Sequence, residues 1–224
     1  MSLLTLHQLE CERDHRVLFT NLDFQCNEGD IVQIEGPNGC GKTTLLRVLT
    51  GLSTDFKGEL KWRGEALADI YQTVLMHMLF LGHSPGIKKT LSPRENLHWL
   101  CGILSSHQLN SSQGVVDIDA ALHKVGLYGF EDIPCHQLSA GQQQRVALAR
   151  LHLSRALLWI LDEPFTSIDS QGAHHFETLI SDHARRGGCV LLTTHQHLNI
   201  EDIKLLNLID YQPNDVYKAR AEAH

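Results

Sequence analysis

The sequence predicts an α/β fold built on a parallel sheet, with a β-rich layer near its start and a mostly helical segment inserted before the sheet resumes. Three observations predict it. IVQIE, at 31–35, is a short apolar strand that runs straight into the glycine-rich stretch GPNGCGKTTLLRVLTGL. ALLWILDEP and CVLLTTH are continuous apolar runs, the pattern of strands covered on both faces. Between the first strand and these two, the segment 84–149 trades strand patterning for helix signals.

The elements follow in order. Alternating apolar residues from Leu4 to Leu9 predict a strand, and Leu22 to Cys26 another, closed by the turn Asn27-Glu28-Gly29-Asp30. After IVQIE the glycine loop opens a helix near Lys42, with Gly51 placed to cap it. GELKWRGEAL (58–67) reads as strand, turn and short strand. LFLGHSPGIK (79–88) reads as a strand that stops at Gly82-His83. Ser92-Pro93-Arg94-Glu95 carries a capping-box serine, a proline at the first helical position and a glutamate at the third, so a helix through roughly Leu100 follows. SSHQLNSSQG (105–114) is a polar loop. Asp119 to Val125 predicts a helix that closes before Gly126, and a further helix occupies about 170–185. The chain is therefore expected to be one domain, with a core from 1–83 and 150–211, a helical part at 84–149 and a tail at 212–224.

Composition narrows the function. The 224 residues are 42 % apolar and carry a formal net charge of −7. No overall basic field recruits nucleic acid or anionic lipid, and no nucleic-acid partner is expected. No run reaches the ~18 apolar residues of a membrane span. MSLLTLHQLECERD lacks a basic start and a cleavage site, which predicts a cytosolic protein. The six cysteines, at 11, 26, 40, 101, 135 and 189, show no C-x-x-C pair. They are expected to be reduced thiols packed as small apolar groups, with neither a zinc site nor a disulfide framework. Fifteen histidines are numerous for this length. His174-His175 and His195-x-His197 are the closest sets, and they read as surface polarity, because no HExxH pattern supports a metal site.

Two motifs carry chemistry. Residues 36–43 match G-x-x-x-x-G-K-[ST] in full, between a strand and a helix. Gly36, Pro37, Asn38, Gly39, Cys40 and Gly41 form a loop whose glycines let backbone N–H groups approach phosphate oxygens. Lys42 is a point charge for the β- and γ-phosphates, the Thr43 hydroxyl suits Mg²⁺, and Thr44 follows in the first turn, where the positive helix end also faces an anion. ATP and Mg²⁺ are the expected ligands. The second motif is WILDEP, where Asp162 and Glu163 stand at the C-terminal end of a strand, the edge at which parallel α/β sheets bind ligands. Asp162 would hold Mg²⁺ and Glu163 would polarise the attacking water as general base. Alone, the pair would read as the N-cap of the next helix; beside the phosphate loop, it reads as the metal and water site. Consecutive strand residues also point to opposite faces, so a shared role requires the chain to turn there.

LSAGQQQRVALARL (138–151) closely resembles the signature of ATP-binding cassette proteins, and the resemblance covers residues 3–211. It implies the fold of an ABC nucleotide-binding domain of the P-loop NTPase class, with an antiparallel β subdomain and an inserted helical subdomain. It also implies a homodimer formed on ATP binding, in which Ser139, Ala140, Gly141 and Gln142 meet the γ-phosphate held by the second copy. Ala140 replaces the family's usual glycine, a change tolerated unless φ is positive. Ser167-Ile168-Asp169 resembles the loop between the two cassettes, and His195 the switch histidine at the γ-phosphate. Arg13 falls near the place of the adenine-stacking aromatic, where a guanidinium can also stack. His83 stands where the family usually has glutamine. Imidazole is a poor Mg²⁺ ligand beside oxygen, so His83 is expected to hydrogen-bond the γ-phosphate or its water; a solvent-facing turn histidine is the alternative.

CERDHRVLF, LGHSPGIK, GFEDIP and QLSAGQQQRVALARL together resemble one subfamily, the ATP-binding subunits of the haem exporters of cytochrome c maturation. The resemblance implies ATP hydrolysis linked to haem export or to release of a haem-loaded chaperone. It implies membrane-spanning partner subunits that hold the chain peripherally on the cytoplasmic face of a bacterial inner membrane. Residues Ser84 to Gln137 are expected to carry the partner contact, with Lys88 and Lys89 either beside that groove or in a solvated basic turn. The alternatives are the ATPase subunit of another ABC exporter and a soluble ABC-type ATPase.

Overall fold

The computed structural model describes residues 2–103 and 116–213; the polar loop expected at 105–114 lies outside them, as does most of the tail. Two long strands, β1 (Ser2–Arg13) and β2 (Arg16–Asn27), pair antiparallel through a tight hairpin. Asp14 and His15 both have positive φ (52° and 61°), the conformation a two-residue hairpin turn requires. β4 (Phe56–Trp62) and the short β5 (Glu65–Ala66) complete a sheet of order β2-β1-β4-β5.

The second sheet is parallel, in the order β6-β7-β8-β3-β9. β3 (Ile31–Glu35), β7 (Leu158–Asp162) and β8 (Cys189–Thr193) are the apolar runs of the sequence, and β6 (Met78–Leu81) is the LFL strand. Alternation along these strands divides the core. Val32, Ile34, Leu158, Ile160 and Leu191 pack with α1 (Lys42–Leu49) and the antiparallel sheet. Leu79, Leu81, Trp159, Leu161, Val190 and Leu192 pack with the helical side, where α5 (Ala140–Leu153) and α6 (Ser170–Arg185) lie. A sheet covered on both faces needs such apolar strands.

Two elements carried no sequence expectation: α2 (Leu67–Leu75), with buried Leu67 and Val74, and the edge strand β9 (Ile203–Asn207), beside β3. β9 alternates only weakly because one side of it is exposed. The helical part begins with α3 (Pro93–Ile103), whose capping box forms as expected. The Ser92 hydroxyl accepts the Glu95 N–H (3.2 Å) and the Glu95 carboxylate accepts the Ser92 N–H (2.8 Å). Arg94 ties α3 to α4 (Ile118–Lys124) by pairing with Asp119, and it also reaches Asp132 at 2.8 Å.

Two expectations are corrected. Cys26 on β2 and Cys189 on β8, expected as separate reduced thiols, are both fully buried and face each other sulfur to sulfur. They lie 163 residues apart, so spacing gave no sign that the two sheets bring them together. Cys11, Cys40, Cys101 and Cys135 are free. The histidines are not uniformly surface groups either. His183 is 8 % exposed and its ring stacks on Trp159 with centroids 3.7 Å apart. Its Nε2 lies 3.2 Å from the Leu157 carbonyl, so the neutral tautomer donates there.

Burial pushes the His183 pKa down from 6.5 to about 4. The unfolded chain therefore takes up a proton between pH 6.5 and 4 that the folded chain refuses. Stability is complete above about pH 6.5 and falls as pH drops toward 4. His152, also lowered to about 4 by burial, adds to the same window. His183→Gln retains a donor for the Leu157 carbonyl and does not titrate. Denaturant unfolding at several pH values should show a shallower loss of stability in this variant, by roughly 1–3 kcal/mol between pH 7 and 4. An unchanged slope would mean that His183 takes up its proton equally in the folded and unfolded chain, so that burial does not hold it neutral.

Candidate active site

The C-terminal ends of β3, β7 and β8 converge on one cleft of about 810 Å³. Asn38, Gly39, Gly41, Lys42, Thr43 and Thr44 form one wall, and Asp162, Glu163, His83 and His195 form another. Arg13, Asp14, Arg16 and Leu18, from the β1–β2 hairpin, close the third side. The phosphate loop owes its shape to Gly36, Gly39 and Gly41, at φ 141°, 77° and 112°, where a side chain would be strained. The Lys42 ammonium folds back over the loop, donating to the Gly36 carbonyl (2.6 Å) and the Pro37 carbonyl (3.4 Å).

Cys40 is placed differently from its expected phosphate-side role. Its side chain is fully buried, a Cβ on Gly36 would sit 2.6 Å from its sulfur, and its N–H donates to the Pro37 carbonyl at 3.2 Å. The residue holds the loop from beneath. Gly36 itself lines a neighbouring groove, together with Lys42 and His195.

The acid pair resolves the facing problem that the sequence posed. Asp162 is the last residue of β7 and 3 % exposed. Glu163, immediately after it, has φ +53°, a sparsely populated conformation for a residue with a side chain. That turn brings both carboxylates to the same cleft. Thr193, at the end of β8, fixes it. The Thr193 hydroxyl donates to Asp162 Oδ1 (2.7 Å) and accepts the Glu163 N–H (3.0 Å), while the Thr193 carbonyl lies 3.2 Å from the same N–H. The Thr43 hydroxyl stands 3.4 Å from Asp162 Oδ1, bringing two hard oxygen donors together. His195 Nε2 is 3.5 Å from Glu163 Oε1. His83 is exposed on the same wall, and Arg13 is largely exposed, 3.5 Å from Asp14. Arg16, on the facing strand, is a second guanidinium at that edge. Sequence reasoning missed Thr193; its one available signal was a hydroxyl at the end of a fully apolar strand.

Ser139, Ala140, Gly141, Gln142 and Asp169 are not on this cleft. Ser139 caps α5, accepting the Gln142 N–H (3.2 Å), and the Gln142 side chain accepts the Ser139 N–H (2.9 Å). Ala140 is not among the residues with positive φ, so its methyl group costs nothing there. Gly141 does require glycine, because a Cβ would lie 2.5 Å from the Ser167 carbonyl. Asp169 caps α6 through the Gly172 N–H (2.9 Å) and takes Arg145 of α5 in a fork at 2.8 and 2.9 Å. The Gly172 N–H first, and the Arg145 guanidinium with it, hold this carboxyl below the usual range. The signature segment is thereby locked to the loop after Glu163.

This arrangement, a phosphate loop facing an acid pair at the edge of a parallel sheet, defines a nucleotide-binding ATPase. The chain belongs to the ABC transporter family, whose model matches residues 19–166. It is 47 % identical over 214 residues to the cytochrome c biogenesis ATP-binding export protein CcmA of Saccharophagus degradans, covering 93 % of this chain and 94 % of that one. It is 49 % identical to the protein of the same name from Escherichia coli K12 over 205 residues, covering 92 % and 95 %. Among solved structures, a putative ABC transporter ATP-binding protein from Pyrococcus furiosus shares the fold with a TM-score of 0.77 at 24 % identity, covering 94 % of this chain and 99 % of that one. A dimeric bacterial ABC transporter cassette shares it with a TM-score of 0.74 at 22 % identity, covering 92 % and 94 %.

Thr193→Val removes the hydroxyl that joins Asp162 to the Glu163 N–H, leaving the Asp162 carboxylate with the Thr43 hydroxyl and the Glu163 N–H with the longer Thr193 carbonyl contact. That costs roughly 1–3 kcal/mol. ATP turnover should fall by at least about tenfold, and Thr193→Ser should keep most of it. Wild-type turnover in Thr193→Val would show that the acid pair holds its geometry without this bridge.

Proposed function

We propose that the chain is the ATP-binding and hydrolysing subunit of a cytochrome c biogenesis haem exporter. The near-half identity with CcmA proteins over almost the full length of both chains carries this reading. Attachment to membrane-spanning subunits on the cytoplasmic face of a bacterial inner membrane follows from it. Among the described residues no helix is long and apolar enough to cross a membrane, so the attachment is assigned to partners. The partner surface is assigned to residues 84–137 of the helical part.

The site chemistry is assigned residue by residue. Backbone N–H groups of the loop and the Lys42 ammonium bind the β- and γ-phosphates; a phosphate oxygen can take the place of the carbonyls that now accept from Lys42. Thr43 and Asp162 fit Mg²⁺ as an oxygen pair and would hold it, and the ion would neutralise phosphate charge. Glu163, turned into the cleft by its positive φ, accepts the proton of the attacking water. His195, beside it, orients the carboxylate and faces the γ-phosphate. His83 donates to the γ-phosphate or its water, and Arg13 stacks on the adenine. Ser139, Ala140, Gly141 and Gln142 lie off the cleft, so they are assigned to the γ-phosphate bound by a second copy, and the active unit is a homodimer closed by ATP.

Glu163→Gln preserves shape and removes the base. Turnover should fall by about 10²–10⁴-fold while ATP binding persists, and size-exclusion with ATP should show a trapped dimer. A monomeric variant turning over at the wild-type rate would remove Glu163 from the reaction. His83→Ala should lower kcat/KM by about 10- to 100-fold and leave ADP affinity unchanged, because ADP lacks the γ-phosphate. His83→Gln should recover much of the loss. Equal weakening toward ATP and ADP would make His83 a structural turn residue.

A further inference from the structure

Arg150, in the last turn of α5, is a cation without a counter-charge among the described residues. Its Nε is buried and has no hydrogen-bond partner. Burial alone pulls its pKa down, with no carboxylate opposing the shift. Described acids of the helical part are engaged elsewhere: Glu95 caps α3, Asp119 and Asp132 hold Arg94, and Glu131 pairs with His123. Burying a charge without its partner is strongly unfavourable, and an arginine, unlike a lysine or histidine, cannot discharge it by losing a proton.

What surrounds Arg150 tells what completes it. With Val146, one turn earlier, it forms the floor of a small cavity of about 20 Å³, walled by Ile87, Leu97, Trp99 and Leu100. That space is sized for one or two polar atoms, not for a side chain. Outside it the surface is apolar. Trp99 is 46 % exposed and Ile103 is 62 % exposed, one turn apart on α3. Lys88 lies over the Trp99 ring at 4.0 Å and adds a second cation at the rim. The loop bearing Lys88 is fixed by Asn96, whose amide donates to the Lys88 carbonyl (3.0 Å) and accepts the Lys88 N–H (2.7 Å). The surface is apolar, with one cation at its centre and a second at its rim.

We propose that Arg150 recognises a carboxylate on an amphipathic helix of a membrane subunit, whose apolar face seats on Trp99, Leu100 and Ile103. This rests on the assignment of the helical part as the partner surface and names the chemistry that the partner must bring. A carboxylate supplies two coplanar oxygens to the guanidinium edge. Its flanking apolar side chains cover the aromatic and aliphatic rim, and Lys88 reinforces the same charge from outside. The helical anion excludes water from a pair that is incomplete in the free cassette.

Arg150→Met tests the idea in two readouts with opposite expected signs. In the isolated chain the variant should melt at or above the wild-type temperature, because a buried unpaired cation is replaced by an apolar isostere. Co-expressed with its membrane subunits and solubilised in detergent, the same variant should lose at least about tenfold in affinity for them. Replacing the matching Asp or Glu of a membrane subunit with Leu should restore assembly with Arg150→Met and with it alone. A marked drop in melting temperature would show that the guanidinium already stabilises the chain internally and would overturn the proposal. Unchanged assembly of Arg150→Met would overturn it too. Trp99→Ala separates the two readings: if Trp99→Ala abolishes assembly while Arg150→Met does not, the partner surface stands and the carboxylate does not. If neither variant weakens assembly, the surface itself is elsewhere. Flotation with vesicles of anionic phospholipid, lost in Arg150→Met, would assign the negative charge to lipid and overturn the protein carboxylate.

Discussion

The last rung between β7 and β8, where Asp162 pairs with Thr193, is the contact on which the site depends. One hydroxyl there serves two acids. It donates to the Asp162 carboxylate and accepts from the N–H of Glu163, and so links a strand end to a residue held at positive φ. Asp162 and Thr193 are buried, in surroundings where hydrogen bonds are strong and unmade ones are costly. The strained turn at Glu163 persists because this bridge over-determines it. Without the turn, the alternation of a strand would send Asp162 and Glu163 to opposite faces, and only one of them would see the phosphate loop.

A second set of contacts ties the helical side to that turn. The Gln144 amide donates to the Pro164 carbonyl at 3.0 Å, inside the core. Gly141 lets the Ser167 carbonyl approach α5, and Arg145 grips Asp169 at the head of α6. Three residues in the first two turns of the signature helix thus touch the segment 164–169 that follows the general-base candidate. Any displacement of α5 is felt at this segment, which begins at the residue after Glu163. A surface docked on the other face of α5, where Val146 and Arg150 lie, would reach the acid pair through the body of one helix.

Much of this was legible in the sequence, for identifiable reasons. The apolar strands and the glycine loop declare themselves because burial on both faces and close phosphate approach each demand a narrow set of residues. α6 was readable to its ends because Asp169 caps it and its amphipathic period is regular. What stayed hidden depends on contacts between distant segments. Thr193 is an ordinary strand residue until β8 lies beside β7. Cys26 and Cys189 are isolated thiols until two sheets stack. α2 and β9 were missed because each has one exposed side and a short apolar pattern. Ser139, Gly141 and Asp169 were recognisable by type, yet within one chain they serve caps and helix packing, away from the cleft.

The polar and charged groups sort by how each avoids an unmet charge or hydrogen bond. His183 does so by staying neutral, its imidazole stacked on Trp159 and donating to a carbonyl. Asp162 does so by hydrogen bonding, with the hydroxyls of Thr193 and Thr43 on one oxygen. The Asp169 carboxylate takes a full fork from Arg145 and remains near solvent. Arg150 uses none of these routes. A guanidinium does not neutralise at any physiological pH, its Nε has no acceptor, and no acid among the described residues answers it. Groups of the first three kinds complete the fold of a single cassette. A group of the fourth kind is complete only in an assembly, and its place between an exposed tryptophan and the signature helix marks the direction from which the missing charge arrives.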